Sequence, residues 1–176
     1  LIRARRLNII SCGTAWHAGL IGEYLFEELA QLPTEVDYAS EFRYRNPIIE
    51  EGTTQIVISQ SGETLDTLAA LREAKDRGAM SLGIVNSVGS TVARETDAGI
   101  YLHVGPEIGV ASTKAFTGQL AVLTMLALYI ARRRHMSQHR LSEYIQALNK
   151  IPEQMGKILK QSDTIREIVQ QYCDRE

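Results

Sequence analysis

Five short apolar runs, several rich in β-branched residues, recur along the first hundred positions of this chain with helical spacing between them, a rhythm few architectures accommodate. Leu7 to Ser11 reads as the first strand, and Ala15 to Ala30 carries helical spacing through Ile21, Leu25 and Leu29 until Pro33 closes it. Glu35 to Tyr38 is a second, short strand, followed by an aromatic and charged segment, Phe42-Arg43-Tyr44-Arg45, ended by Asn46-Pro47. Gln55 to Ser59 predicts a third strand, Leu65 to Arg77 a helix closed by Gly78, and Met80 to Asn86 a fourth strand. Gly89 to Glu95 reads as a helical turn and Ala98 to Val104 as the fifth strand. Nearly all-apolar strands alternating with helices predict an α/β fold: a three-layer α/β/α sandwich around a five-stranded parallel sheet. The flavodoxin-type order, with strand two outside strand one and strand three on its other side, is the expectation, with right-handed crossovers.

That order brings together the ends of strands one and three, where the direction of winding reverses and ligands bind. Strand one ends in Ser11-Cys12-Gly13-Thr14 and strand three in Ser59-Gln60-Ser61-Gly62-Glu63-Thr64, so two loops of small and hydroxyl-bearing residues meet at that crevice. A strand feeding a helix leaves first-turn N–H groups without intrahelical partners, and the positive end of the peptide dipoles suits a phosphate there. Ser59, Ser61 and Thr64 add hydroxyls, Gln60 an amide, and Gly62 lets the backbone approach a ligand closely. The competing reading is that Ser61 merely caps the following helix.

The 176 residues fit one compact domain with an appendage, and a 44% hydrophobic content is enough for a two-sided core. A formal net charge of −2 argues against a nucleic-acid surface, and the basic run Arg132-Arg133-Arg134 reads as a solvated helix C-terminus. Cys12 and Cys173 are the only cysteines, far apart and outside metal-type spacing, which points to a reducing, cytoplasmic setting. The N-terminal Leu1-Ile2-Arg3-Ala4-Arg5-Arg6 lacks the apolar core of a secretory signal. Leu120 to Ala131 is too short for a bilayer and predicts a buried core helix, so no membrane is expected. The start at Leu1 rather than Met leads us to expect a piece of a longer polypeptide.

After the fifth strand, Gly105 to Phe116 is a polar, small-residue loop entering that helix, with Ser112 as its expected N-cap. Lys114 in the first turn opposes the helix dipole and hints at an anionic neighbour. Beyond Gln138, Leu141, Tyr144, Ile145 and Leu148 share one helical face, Pro152 is expected to open a second segment with Met155, Ile158 and Leu159, and Ile165 to Tyr172 forms a last amphipathic stretch. The division expected is therefore a domain at 1–136 and a helical connector at 137–176. His135 and His139 stand four apart without a third ligand and read as solvated, so no metal is expected. His17 and His103 read as partly buried, Glu63 as either a base or a dipole-complementing carboxylate, and Cys12 as a packing residue.

Cys12-Gly13-Thr14, the Ser-Gln-Ser-Gly-Glu-Thr run at 59–64, the Glu-Ile-Gly-Val-Ala-Ser-Thr-Lys-Ala-Phe run at 107–116 and Ala39-Ser40-Glu41-Phe42-Arg43-Tyr44-Arg45 stand in one order. Together they resemble the first sugar isomerase (SIS) domain of the glutamine–fructose-6-phosphate aminotransferases, also called glucosamine-6-phosphate synthases. The resemblance spans about Leu7 to Arg132. It implies a five-stranded sandwich that binds fructose 6-phosphate or glucosamine 6-phosphate, with Ser59, Gln60, Ser61 and Thr64 on the phosphate, Thr14 near the sugar, and Val110 and Ser112 bordering the pocket. Many members carry Ser after Cys-Gly-Thr, whereas this chain has Ala15. The resemblance also implies a homodimer, no cofactor, and partners within the same polypeptide: a glutaminase and a second SIS domain. That second domain and its tail would hold the Glu base, the ring-opening His and the Schiff-base Lys, so these residues would bind substrate without turning it over. The alternative is a regulatory SIS module that senses a phosphosugar.

Overall fold

The computed structural model describes residues 1–109 and 111–173. By internal contacts the chain divides into two compact units, Leu1–Met136 and Ser137–Glu176.

The first unit holds β1 (Arg6–Ser11), α1 (Gly13–Ala30), β2 (Thr34–Tyr38), α2 (Ala39–Tyr44), β3 (Thr53–Ser59), α3 (Leu65–Asp76), β4 (Met80–Val85), α4 (Thr91–Glu95), β5 (Ala98–Tyr101) and α5 (Lys114–Arg134). All neighbouring strands pair in parallel, in the order β2-β1-β3-β4-β5. This is the expected α/β architecture and strand order. The register pairs Ser11 with Tyr38 across β1 and β2, so the end of β2 also reaches the predicted crevice.

Successive side chains of a strand face opposite ways, and β1 shows the consequence. Ile10 packs with Ala39, Phe42, Ala70, Ala74 and Ala79 under α2 and α3. Ile9 meets the other layer, where α1 and α5 lie against each other. There α1 must come close: a Cβ built at Gly22 would lie 3.2 Å from Leu123 of α5 and 3.4 Å from Ile9. Phe26, Leu123 and Ile130 are fully buried. Each such side chain contributes about 1.5–3 kcal/mol of burial free energy. By length and composition α5 is apolar enough to cross a bilayer, but Val122, Leu123, Ala127, Leu128 and Ile130 are buried within the protein.

Several boundaries differ from the sequence reading. Helix α1 stops because Gln31 turns left-handed (φ 49°), two residues before Pro33. The segment around Phe42 is a short helix, too brief for periodicity to reveal, fixed by the complete burial of Phe42. The fifth strand ends at Tyr101 rather than Val104, since His103 takes a positive φ of 54° and Val104 N–H donates to the Asn86 side chain (3.1 Å) instead of a ladder partner. The core helix is longer than the run Leu120 to Ala131.

In the second unit, Ser137 caps α6 (Gln138–Leu159) by accepting the Arg140 N–H at 3.2 Å, and α7 (Ser162–Gln170) follows. Pro152 was expected to start a new helix, yet α6 runs through it. Proline removes the donor that would reach the Leu148 carbonyl, a loss that water covers on so exposed a helix. Neither helix has a buried residue, and Ile145, Met155, Ile158, Leu159, Ile165 and Ile168 are exposed.

Candidate functional site

One cavity of about 420 Å³ gathers Cys12, Gly13, Thr14, Ala15, Tyr38, Ser59, Gln60, Ser61, Thr64, Thr67 and Ser112, within the size range of small-molecule sites. The structure thus brings together six of the seven residues picked from sequence: Thr14, Ser59, Gln60, Ser61, Thr64 and Ser112. Val110 lies outside the described residues. Thr67 joins the two loops directly, its hydroxyl 3.8 Å from the Cys12 sulfur.

The cavity floor is set by two helix starts. Neither Cys12, before α1, nor Thr64, before α3, makes a side-chain cap hydrogen bond. Apart from the Gly13 N–H, which the Tyr38 oxygen accepts, first-turn N–H groups of both helices are therefore available to an anion; α1 carries no acid in its first turn, whereas α3 carries Asp66. This tells against Ser61 as the cap of the following helix. Its oxygen instead accepts the Glu63 N–H (3.1 Å) inside the loop, leaving its hydroxyl hydrogen available.

The rest of the 59–64 loop is braced from below. Ser59 Oγ accepts the Gly62 N–H (3.0 Å) and lies 3.2 Å from Thr64 Oγ1. The Gln60 carbonyl accepts from Asn86 and Ser87 at the end of β4, and the Gly62 carbonyl from Val92 in α4. Glu63 Oε1 accepts the Thr91 N–H at 2.8 Å, and this bond holds its carboxyl below the ordinary glutamate range. A carboxylate so engaged braces the loop against the start of α4.

A second carboxylate does the same on the facing loop. Ser112 was expected to cap α5, but the helix begins at Lys114 and the capping group is Glu107. Its Oε1 accepts the backbone N–H of Thr113 (2.9 Å) and Lys114 (3.0 Å) and the Thr113 hydroxyl (3.1 Å). Those bonds, the Thr113 N–H first, lower the Glu107 pKa. Ser112 lines the cavity, and its side chain is among the donors that lower the Glu107 pKa. Lys114 meets this carboxylate through its backbone N–H.

Both loops should therefore persist through mild acid. A carboxylate whose folded pKa is depressed contributes stability in full above its unfolded value of about 4.3 and loses it as pH falls through the folded value. Amide resonances of Thr91 and Thr113 should hold steady from pH 7 to 5 and move only in more acid solution. Movement near pH 6 would contradict these contacts.

Sequence reasoning missed Tyr38 and Thr67. The strand order itself was the available signal for Tyr38, since β2 flanks β1 and ends level with Ser11. Thr67 stands one turn after Thr64, on the same helical side. His17 and His103 are exposed rather than partly buried; His17 bonds the Gly13 carbonyl through Nδ1 (2.9 Å), and His139 lies 3.8 Å from Glu143, far in sequence from the crevice residues.

Another cavity, of about 390 Å³, opens where β1 and β3 begin, lined by Arg6, Asn8, Glu35, Arg45 and Thr53 among others. Its charges answer one another: Arg6 pairs with Glu35 (3.0 Å) and Arg45 with Asp37 (2.8 Å). Burial raises the Asp37 pKa, against the pull of Asn8 and Arg45. Among the described residues, those lining the crevice are uncharged.

Residues 1–129 match the SIS domain family. The glutamine–fructose-6-phosphate aminotransferases (isomerizing) of Chlorobaculum tepidum and Bacteroides thetaiotaomicron are 58% and 54% identical over 99% and 96% of the chain. The chain spans only 28% of the length of either relative. Among solved structures, the C-terminal domain of the Francisella tularensis glucosamine-fructose-6-phosphate aminotransferase superposes with a TM-score of 0.94 at 37% identity, over 99% of this chain and 50% of that one. A phosphosugar isomerase fold from Clostridium difficile 630 reaches 0.84 at 22% identity, covering 92% of this chain and 47% of that one.

Proposed function

Since the chain belongs to the SIS domain family, we propose that its crevice binds the phosphate of fructose 6-phosphate or glucosamine 6-phosphate, and that it works as the sugar-phosphate half of an isomerizing glutamine–fructose-6-phosphate aminotransferase. One observation carries this reading: two uncapped helix starts and the hydroxyl-rich 59–64 loop line a single cavity. The names and identities of the relatives supply the sugar. The ester's charge is met by N–H and O–H donors, and hydrogen bonds to a charged group are worth about 1.5–3 kcal/mol each.

The whole activity needs more than these residues. We place the groups that move protons between sugar carbons, and the glutaminase that supplies ammonia, in other parts of the longer polypeptide, and we expect the assembled enzyme to be a cytoplasmic homodimer. The exposed apolar faces of α6 and α7 suit packing against such neighbours, because helices draw most of their stability from packing an amphipathic face.

Isothermal titration of the 176-residue chain tests the binding. Fructose 6-phosphate should bind, fructose should bind at least about tenfold more weakly, and Ser61→Ala should weaken the sugar phosphate by roughly tenfold. Equal affinity for the two sugars would overturn the proposal, and an unchanged Ser61→Ala would move the phosphate elsewhere.

A further inference from the structure

The end of β2 places a phenol in the crevice that the phosphate reading does not use. Tyr38 lines the cavity, and its oxygen accepts the Gly13 N–H at 3.2 Å. Its ring rests against Trp16, with centroids 5.6 Å apart, so the side chain is held by packing as well as by that bond. A phenolic hydroxyl both accepts and donates. With its oxygen serving Gly13, its hydrogen has no acceptor among the described residues, and the residue is 39% exposed. The next residue after Thr14 in the facing turn is Ala15, which offers no hydroxyl to a ligand.

We propose that Tyr38 is a sugar-recognising residue: its hydroxyl, oriented by the Gly13 N–H, donates a hydrogen bond to an oxygen of the bound sugar phosphate's carbohydrate part. This rests on the sugar-phosphate reading of the cavity and deepens it. The phosphate goes to the helix starts and the 59–64 loop. Tyr38 reaches the cavity from β2, on the other side of β1, and its donor is neutral, which suits a hydroxyl or carbonyl oxygen.

The test compares the native chain with Tyr38→Phe, titrated with fructose 6-phosphate and separately with inorganic phosphate. Phenylalanine keeps the ring against Trp16, the chain's single tryptophan, whose fluorescence can follow binding. A lost neutral hydrogen bond should weaken fructose 6-phosphate about three- to tenfold. Affinity for inorganic phosphate should stay within about twofold, and the thermal midpoint within about 2 °C. A parallel loss for both ligands would mean that Tyr38 acts only through the Gly13 turn, and would overturn the proposal. So would unchanged affinity for the sugar phosphate, or tighter binding of both ligands, the sign that the phenol merely covers the Gly13 N–H. A native chain that binds inorganic phosphate but gains nothing from the sugar overturns the Tyr38 assignment alone, whereas one that binds neither ligand overturns both readings.

Discussion

Gly62→Ala is expected to abolish sugar-phosphate binding and to destabilise the first unit by about 2–5 kcal/mol, from two separate causes. The backbone at Gly62 is left-handed (φ +67°), a conformation that costs a residue with a Cβ about 1–2 kcal/mol. The added carbon would also sit 2.5 Å from Ser90 Cβ and closer still to its oxygen, and overpacking of this kind costs about 1–3 kcal/mol. Ser90 is buried at the start of α4, while Gly62 is itself tied to Ser59 and Val92, so neither side can retreat without moving the loop. Urea unfolding measures the loss of stability and ligand titration the loss of binding. Ser90→Gly in the same chain should recover the overpacking part and leave the backbone part. A single variant as stable as the parent would show that the loop does not pass as close to α4 as described.

Ser59→Ala should have the next largest effect, about 10- to 100-fold on sugar-phosphate affinity with about 1–3 kcal/mol of stability. Ser59 is 3% exposed, and its oxygen is the acceptor for the Gly62 N–H and the neighbour of Thr64 Oγ1. Alanine removes a donor facing the cavity, strands a buried N–H and frees the Thr64 hydroxyl to rotate. Ser59→Thr keeps the hydroxyl and should retain more of the affinity than alanine does. If Ser59→Ala binds as tightly as the parent, the loop is organised by its backbone alone and the hydroxyl is incidental.

These two residues separate what was readable from what was not. That Ser59 and Gly62 belong to a ligand loop followed from their place between a β-branched run and a helical pattern. The clash partner of Gly62 did not, because Ser90 is 28 positions away. The carboxylates show the same division. Glu63 and Glu107 could be recognised as lying beside the site, but their acceptor roles depend on Thr91 and Thr113. Ser112 was misassigned as a cap because local preference named a hydroxyl, whereas a carboxylate six residues before Thr113 wins by accepting three hydrogen bonds at once. Pro152 misled for the opposite reason: a strong local rule yields when the helix is exposed and water can take the orphaned carbonyl.

The sequence by itself determined the layer architecture, the strand order and the two loops that meet at the crevice, since periodicity and turn chemistry are properties of neighbouring residues. Only the tertiary structure decided which groups cap, brace or face the cavity, and it brought Tyr38 to Gly13 across 25 positions. A hydrogen bond is made with whatever the fold delivers within about 3 Å, and no local pattern records that.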